Sequence, residues 1–177
     1  MNILIIGAGV IGSTYGWQLL KAGCDITHLV RPETLDEYKT QGMAIRYLDL
    51  RGASENRIEE EYHPNFVDKF NPSENYQYII VAVNGYQLID ILPVLNVRSG
   101  NATIVFLQNM RLGDDELISR CLDPAKYIIA YPLKAGGGRQ GNIIYLFLFS
   151  FPSHNGFINR RVCGKCSKGM FNTRQKR

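Results

Sequence analysis

The first chemical signal of this chain lies in its opening residues. Met1-Asn2-Ile3-Leu4-Ile5-Ile6 runs straight into Gly7-Ala8-Gly9-Val10-Ile11-Gly12, and a helical stretch, Ser13 to Ala22, follows. The spacing G-x-G-x-x-G recurs by chance. Between an apolar β-branched strand and a helix it predicts a phosphate-cradling turn of the dinucleotide-binding type. Each glycine has its own task. Gly7 permits the tight turn out of the strand, Gly9 presents no Cβ to an approaching pyrophosphate, and Gly12 lets the helix pack close to the sheet. The phosphates then rest on the unpaired N–H groups of Val10, Ile11 and Gly12, at the positive end of the helix dipole.

The second strand bears on which dinucleotide. Gly23 ends the helix, Asp25-Ile26-Thr27-His28-Leu29-Val30 reads as a strand, and Arg31-Pro32 follows. An NAD site places Asp or Glu about 20 residues past the glycines to accept from the ribose 2′-OH. Arg31 stands there instead. A guanidinium cannot accept that bond, but it grips a 2′-phosphate and stacks on adenine. The expected cofactor is therefore NADP. Glu33 is the competing residue, because a two-residue slip brings its carboxylate to the ribose.

Four motifs together resemble the ketopantoate reductases (2-dehydropantoate 2-reductases) over roughly residues 1 to 145. They are the glycine turn through Ser13 with Tyr15-Gly16, Thr27 to Arg31 with Gly42 beyond, Val81-Ala82-Val83-Asn84-Gly85-Tyr86-Gln87, and Val105-Phe106-Leu107-Gln108-Asn109. The resemblance implies an NADP-dependent oxidoreductase that reduces ketopantoate to pantoate in pantothenate biosynthesis. It also implies that Asn109 holds the nicotinamide ribose or the substrate, with Gln87 near the adenosine. Two positions depart from the family. Asn84 stands where a lysine is usual, and an amide cannot pair with a carboxylate as an ion. Met110 replaces a common glycine.

The elements needed to position these residues alternate. Strands are expected at about 2–6, 25–30, 78–83, 103–107 and 127–131, with helices at about 11–22, 32–41, 86–95 and from Gly113 onward. That alternation predicts an α/β, Rossmann-type, doubly wound, mostly parallel sheet with helices on both faces. Ala44 to Tyr62 is expected to form a hairpin excursion, and Ala135 to Asn142 a glycine-rich turn into a last strand, Ile143 to Phe149. Ligands then lie across the carboxyl ends of the strands.

Composition limits the alternatives. The chain has 177 residues and net charge +4, but Phe151 to Arg177 holds seven Lys and Arg and no acid, which leaves 1–150 at −3. The body gives no case for nucleic-acid binding. No apolar run approaches the ~20 residues of a membrane span, and no signal-peptide pattern is read. A cytoplasmic protein with reduced thiols is expected.

Two domains of unequal kind follow: 1–150 as the cofactor domain and 151–177 as a basic, disordered tail. Cys163-Gly164-Lys165-Cys166 in that tail lacks a second pair, so no metal site is expected. The helical C-terminal domain that supplies the family's catalytic lysine has no counterpart in the tail. The chain is accordingly expected to be truncated, its catalytic residues unassigned, with Lys134 the one substitute acid near the site. The alternatives are a non-catalytic NADP-binding module or remnant, and a reductase of another 2-oxo acid. Partners are a small 2-oxo acid and a second copy of the chain, through the exposed face of the cleft.

Overall fold

A computed structural model describes residues 1–50, 56–71, 73–132 and 135–149. Lys134, the Cys163/Cys166 pair and the whole expected tail lie outside the described residues. The elements in chain order are β1 (Asn2–Ile6), α1 (Val10–Lys21), β2 (Asp25–Leu29), α2 (Pro32–Gln41), β3 (Met43–Leu50), β4 (Asn56–Tyr62) and β5 (Asn65–Val67). β6 (Tyr78–Val81), α3 (Leu88–Arg98), β7 (Thr103–Leu107), α4 (Asp114–Cys121), β8 (Tyr127–Ala130), β9 (Ala135–Gln140) and β10 (Ile143–Phe149) complete them.

Six strands form the main sheet in the order β5-β2-β1-β6-β7-β8, every pair parallel. This is the 3-2-1-4-5-6 order of dinucleotide-binding sheets, with the order reversing between β1 and β6. Strands buried on both faces read as unbroken apolar runs, which is why Ile3, Leu4 and Ile5 are all in the core. Fully burying one such side chain contributes roughly 1.5–3 kcal/mol. Leu4, Ile79, Ile104 and Phe106 face α3 and α4 through Leu88, Leu92, Leu95 and Ile118. Ile3, Ile5, Ile26 and Ile80 face the other way, toward Ile11, Tyr15 and Leu19 of α1. Helices therefore cover both faces, as the alternation predicts.

A second sheet packs against α1 in the order β4-β3-β10-β9. The expected hairpin excursion is its β3–β4 pair, antiparallel from Met43↔Tyr62 to Asp49↔Asn56. The expected last strand is β10, which lies parallel to β3. One expectation needs correction. The run Ala135 to Gly138 is no turn; it is part of β9, antiparallel to β10. Gly137 serves a close approach, since a Cβ there would lie 2.0 Å from the Tyr145 carbonyl oxygen and 3.1 Å from Val10 Cγ1, whereas a Cβ on Gly138 would meet nothing within 4 Å. The turn itself falls at Gly141, with φ +59°. β5, only three residues long, has no counterpart in the sequence reading.

Candidate functional site at the carboxyl ends of the parallel strands

The switch point between β1 and β6 is closed by the glycine turn. Gly7 has φ +104°, and a Cβ there would lie 2.6 Å from the Ala82 carbonyl oxygen. A Cβ on Gly12 would lie 2.5 Å from the Gly7 carbonyl oxygen and 3.3 Å from Ala82 Cβ. Both glycines thus let α1 press against the ends of β1 and β6. Gly9 differs from them. Its Cβ would meet nothing within 4 Å, because its Cα faces open space.

Gly9 is the N-cap of α1, with no side-chain cap and no acid in the first turn. The first internal bond runs from the Ser13 N–H to the Gly9 carbonyl at 2.9 Å. The N–H groups of Val10, Ile11 and Gly12 have no carbonyl a turn behind them. An open approach, unpaired donors and the positive end of a helix dipole together fit a pyrophosphate.

The other candidate residues stand on the same edge of the sheet. Arg31 is exposed just past β2 and is the N-cap of α2, its carbonyl accepting from the Thr34 N–H and hydroxyl, each at 3.0 Å. Glu33 lies inside the first turn of α2. Asn84 follows β6 and starts a 3-10 turn, Gly85–Gln87. The Asn84 N–H donates to Gln87 Oε1 at 3.0 Å, and the Asn84 amide donates to the Tyr86 hydroxyl at 3.3 Å. Asn84 and Gln87 therefore shape this turn between them. Asn109 is exposed beyond β7, next to Gln108, whose buried Oε1 has no hydrogen-bond partner among the described residues. Gln108 Nε2 donates to Met110 Sδ at 3.7 Å.

Beneath the glycine turn lies a buried polar chain whose two contacts the sequence reading did not find. His28 Nδ1 is 2.9 Å from the Gly7 carbonyl oxygen, and Nε2 is 2.7 Å from the Tyr62 hydroxyl. A carbonyl only accepts, so Nδ1 carries the proton, Nε2 accepts, and the Tyr62 hydroxyl donates. Burial pulls the His28 pKa down to about 4, with the Gly7 bond acting the other way. Burial also raises the Tyr62 hydroxyl. Gly16 makes the room, since a Cβ there would lie 2.2 Å from the Tyr62 oxygen and 2.9 Å from His28 Nε2. The small sheet is thereby hydrogen-bonded to the phosphate turn through β2.

Arg111 is the second such residue. It reaches back over the turn after β6, where a Cβ on Gly85 would lie 2.6 Å from its Nε. Asp114, 5% exposed, accepts from the Arg111 backbone N–H at 2.8 Å, from Nε at 3.4 Å and from Nη2 at 3.1 Å. Burial works to raise the Asp114 carboxyl, but the bonds from Arg111 outweigh it and hold it below the usual range. This pair locks together the turns after β6 and β7. The spacing Arg-x-x-Asp at a helix start was its only sequence signal.

Two recesses lie away from this edge. One of about 740 Å³ opens at the amino ends of β1 and β2, beside Asn2, Asp25, Lys39 and His63, and one of about 480 Å³ lies on the small sheet beside Arg46, Tyr145 and Phe147. Among the described residues no helix is long and apolar enough to cross a membrane.

Residues 3–143 match the family model described as ketopantoate reductase PanE/ApbA. Among solved structures, the ternary complex of D-mandelate dehydrogenase with NADH and anilino(oxo)acetate is 20% identical, covers 83% of this chain and 46% of its own, and has a TM-score of 0.66. A probable 2-dehydropantoate 2-reductase from Bacillus subtilis is 21% identical, with 82% and 46% covered and a TM-score of 0.62. NADP+-bound yersinopine dehydrogenase is 16% identical, with 84% and 39% covered and a TM-score of 0.62. At these identities the likeness shows a shared fold. The chain spans less than half the length of each.

Proposed function

The chain belongs to the ketopantoate reductase family, and on that premise we propose that it binds NADPH as the cofactor half of a 2-oxo-acid reductase. Reduction of ketopantoate to pantoate is the first reaction to test. The D-mandelate dehydrogenase complexes with NADH and the yersinopine dehydrogenase complex with NADP+ support a nicotinamide dinucleotide. The observation that carries NADP over NAD is the place of Arg31. The register Ile6↔Leu29 sets the end of β2 beside the glycine turn, and the Gly7 N–H donates to the Leu29 carbonyl at 3.0 Å. Arg31, not Glu33, is the first charged residue past that strand end.

Bound NADPH supplies the hydride. The chain's part is to hold the pyrophosphate on the N–H groups of residues 10–12 and the 2′-phosphate on Arg31. Asn109 offers its amide to the nicotinamide ribose or to the substrate, and Asn84 and Gln87 offer theirs to the ribose hydroxyls. Reducing a ketone builds charge on its oxygen, which a positioned acid must neutralise. We assign that acid to a second domain or partner, matching the family resemblance. Tyr86, Ile89 and Leu112 are exposed around the turns after β6 and β7, and they form the face that such a domain, or a second copy, would cover.

The decisive experiment is a titration of NADPH and NADH against the wild type and Arg31→Ala. NADPH should bind the wild type more tightly, and Arg31→Ala should lose on the order of 1.5–3 kcal/mol of that preference. Equal affinities in the wild type would sink the NADP assignment.

A further inference from the structure

The turns after β6 and β7 hold a cation that the cofactor reading leaves unused. In the turns that follow β1, β6 and β7, residues 7–9, 82–87 and 108–113, Arg111 is the only Lys or Arg. Its guanidinium rests against the residue that follows Asn84, since a Cβ on Gly85 would lie 2.6 Å from Arg111 Nε and 3.1 Å from Cζ. From the β7 side it therefore brings a cation to the place where Asn84 offers only an amide.

This guanidinium is held from behind. Asp114 accepts from Arg111 Nε at 3.4 Å and from Nη2 at 3.1 Å, and the same carboxylate accepts from the Arg111 backbone N–H at 2.8 Å. The Asp114 N–H in turn donates to the Arg111 carbonyl at 3.1 Å. Main chain and side chain are thus fixed together. The Asp114 side chain is 5% exposed and that of Arg111 57%, so the carboxylate is sealed while the guanidinium meets solvent. Nε and Nη2 are one edge of its planar fork. The other edge, which Nη1 shares with Nη2, has no hydrogen-bond partner among the described residues. A guanidinium fixed on one edge and open on the other is pre-organised to take a second planar anion through two parallel bonds.

The order of the sheet selects the anion. β5-β2-β1-β6-β7-β8 sets Arg31, past β2, on one side of the glycine turn and Arg111, past β7, on the other. A dinucleotide that spans the switch point with its 2′-phosphate at Arg31 lays its nicotinamide half across β6 and β7. In a reductase of 2-oxo acids, the anion brought beside that ring is the carboxylate of the acid.

We propose that Arg111 is the anchor for the substrate carboxylate, so that this chain selects 2-oxo acids over uncharged ketones. Asp114 is its positioning residue. The inference rests on the 2-oxo-acid reductase reading above and adds the residue that would recognise the acid.

The test uses the full chain saturated with NADPH and reads binding by ligand-observed NMR, which requires no turnover. The ligands are ketopantoate and pyruvate, with ketopantoyl lactone and methyl pyruvate as their uncharged counterparts. Wild type is compared with Arg111→Lys and with Arg111→Gln combined with Asp114→Asn, a pair that leaves no carboxylate buried and unpaired. Wild type should prefer each acid to its uncharged counterpart. The paired variant should bind the acids about tenfold more weakly, the usual loss for a charge-assisted contact. Arg111→Lys should fall between, because an ammonium keeps the charge and loses the fork. NADPH and the uncharged ligands should stay within about twofold of wild type throughout, which also shows that each variant has folded. Acids that bind wild type no better than their uncharged counterparts, or bind the paired variant equally well, would overturn the anchor while the cofactor reading stands. A loss of NADPH affinity in the paired variant would put Arg111 on the cofactor and overturn it as well. A wild type that binds no NADPH overturns the parent reading and the anchor with it.

Discussion

Acidification should unfold this protein through His28. The imidazole is fully buried and neutral between Gly7 and Tyr62, and its pKa stands at about 4 against an ordinary 6.5. Above the ordinary value neither the folded nor the unfolded chain protonates it, so stability does not depend on it. Between pH 6.5 and about 4 the unfolded chain takes a proton that the folded chain refuses. Stability then falls by about 1.4 kcal/mol per pH unit, and the loss levels off near 3 kcal/mol below the folded value. That is a large share of the roughly 5–15 kcal/mol that holds a domain together. Urea midpoints at half-unit steps from pH 7.5 to 4.5, for the wild type and His28→Gln, isolate this group from the carboxylates common to both. The wild type should lose about 2–3 kcal/mol more than the variant across that range. Parallel profiles would refute the buried neutral histidine, and with it the claim that Tyr62 donates to Nε2.

Three further outcomes follow from the same geometry. Gly9→Val should abolish cofactor binding and keep its circular dichroism and ligand-free melting point, because its Cβ meets no protein atom within 4 Å; retained affinity would make the turn purely structural. Gly16→Ala should do the reverse, destabilising the fold by about 1–3 kcal/mol through overpacking, since its Cβ would collide with the Tyr62 oxygen at 2.2 Å; an unchanged melting point would show that the His28–Tyr62 chain is not held where it is seen. The chain alone should turn over ketopantoate far below an ordinary rate of about 1–10³ per second, because a general acid supplied from a second domain or partner, as proposed above, is worth ~10²–10⁴ in rate. Ordinary turnover, followed by NADPH absorbance, would mean that the donor lies within these residues, Lys134 first among those to test.

What the sequence alone determines here is what local rules govern. A strand buried on both faces must be apolar throughout, so Ile3 to Ile6 and Tyr78 to Val81 declare themselves. A helix approaching a strand end needs glycine where backbones crowd, so Gly7 and Gly12 declare the switch point before any coordinates exist. The place of Arg31 just past β2 is legible for the same reason, since it is set by distance along the chain from that turn. Reading failed where partners are remote. The glycines of β9 look like a turn locally, yet Gly137 serves contact with Tyr145 and Val10. β5 is too short to show a period and exists because β2 offers it an edge. His28 showed no partner motif because Tyr62 is 34 residues away and the room for the pair is made by Gly16 on α1. Arg139 and Tyr38 meet only because β9 folds over α2. Composition and spacing report what a residue needs from its neighbours in the chain, and only the packing of two sheets around α1 decides which distant side chains become neighbours.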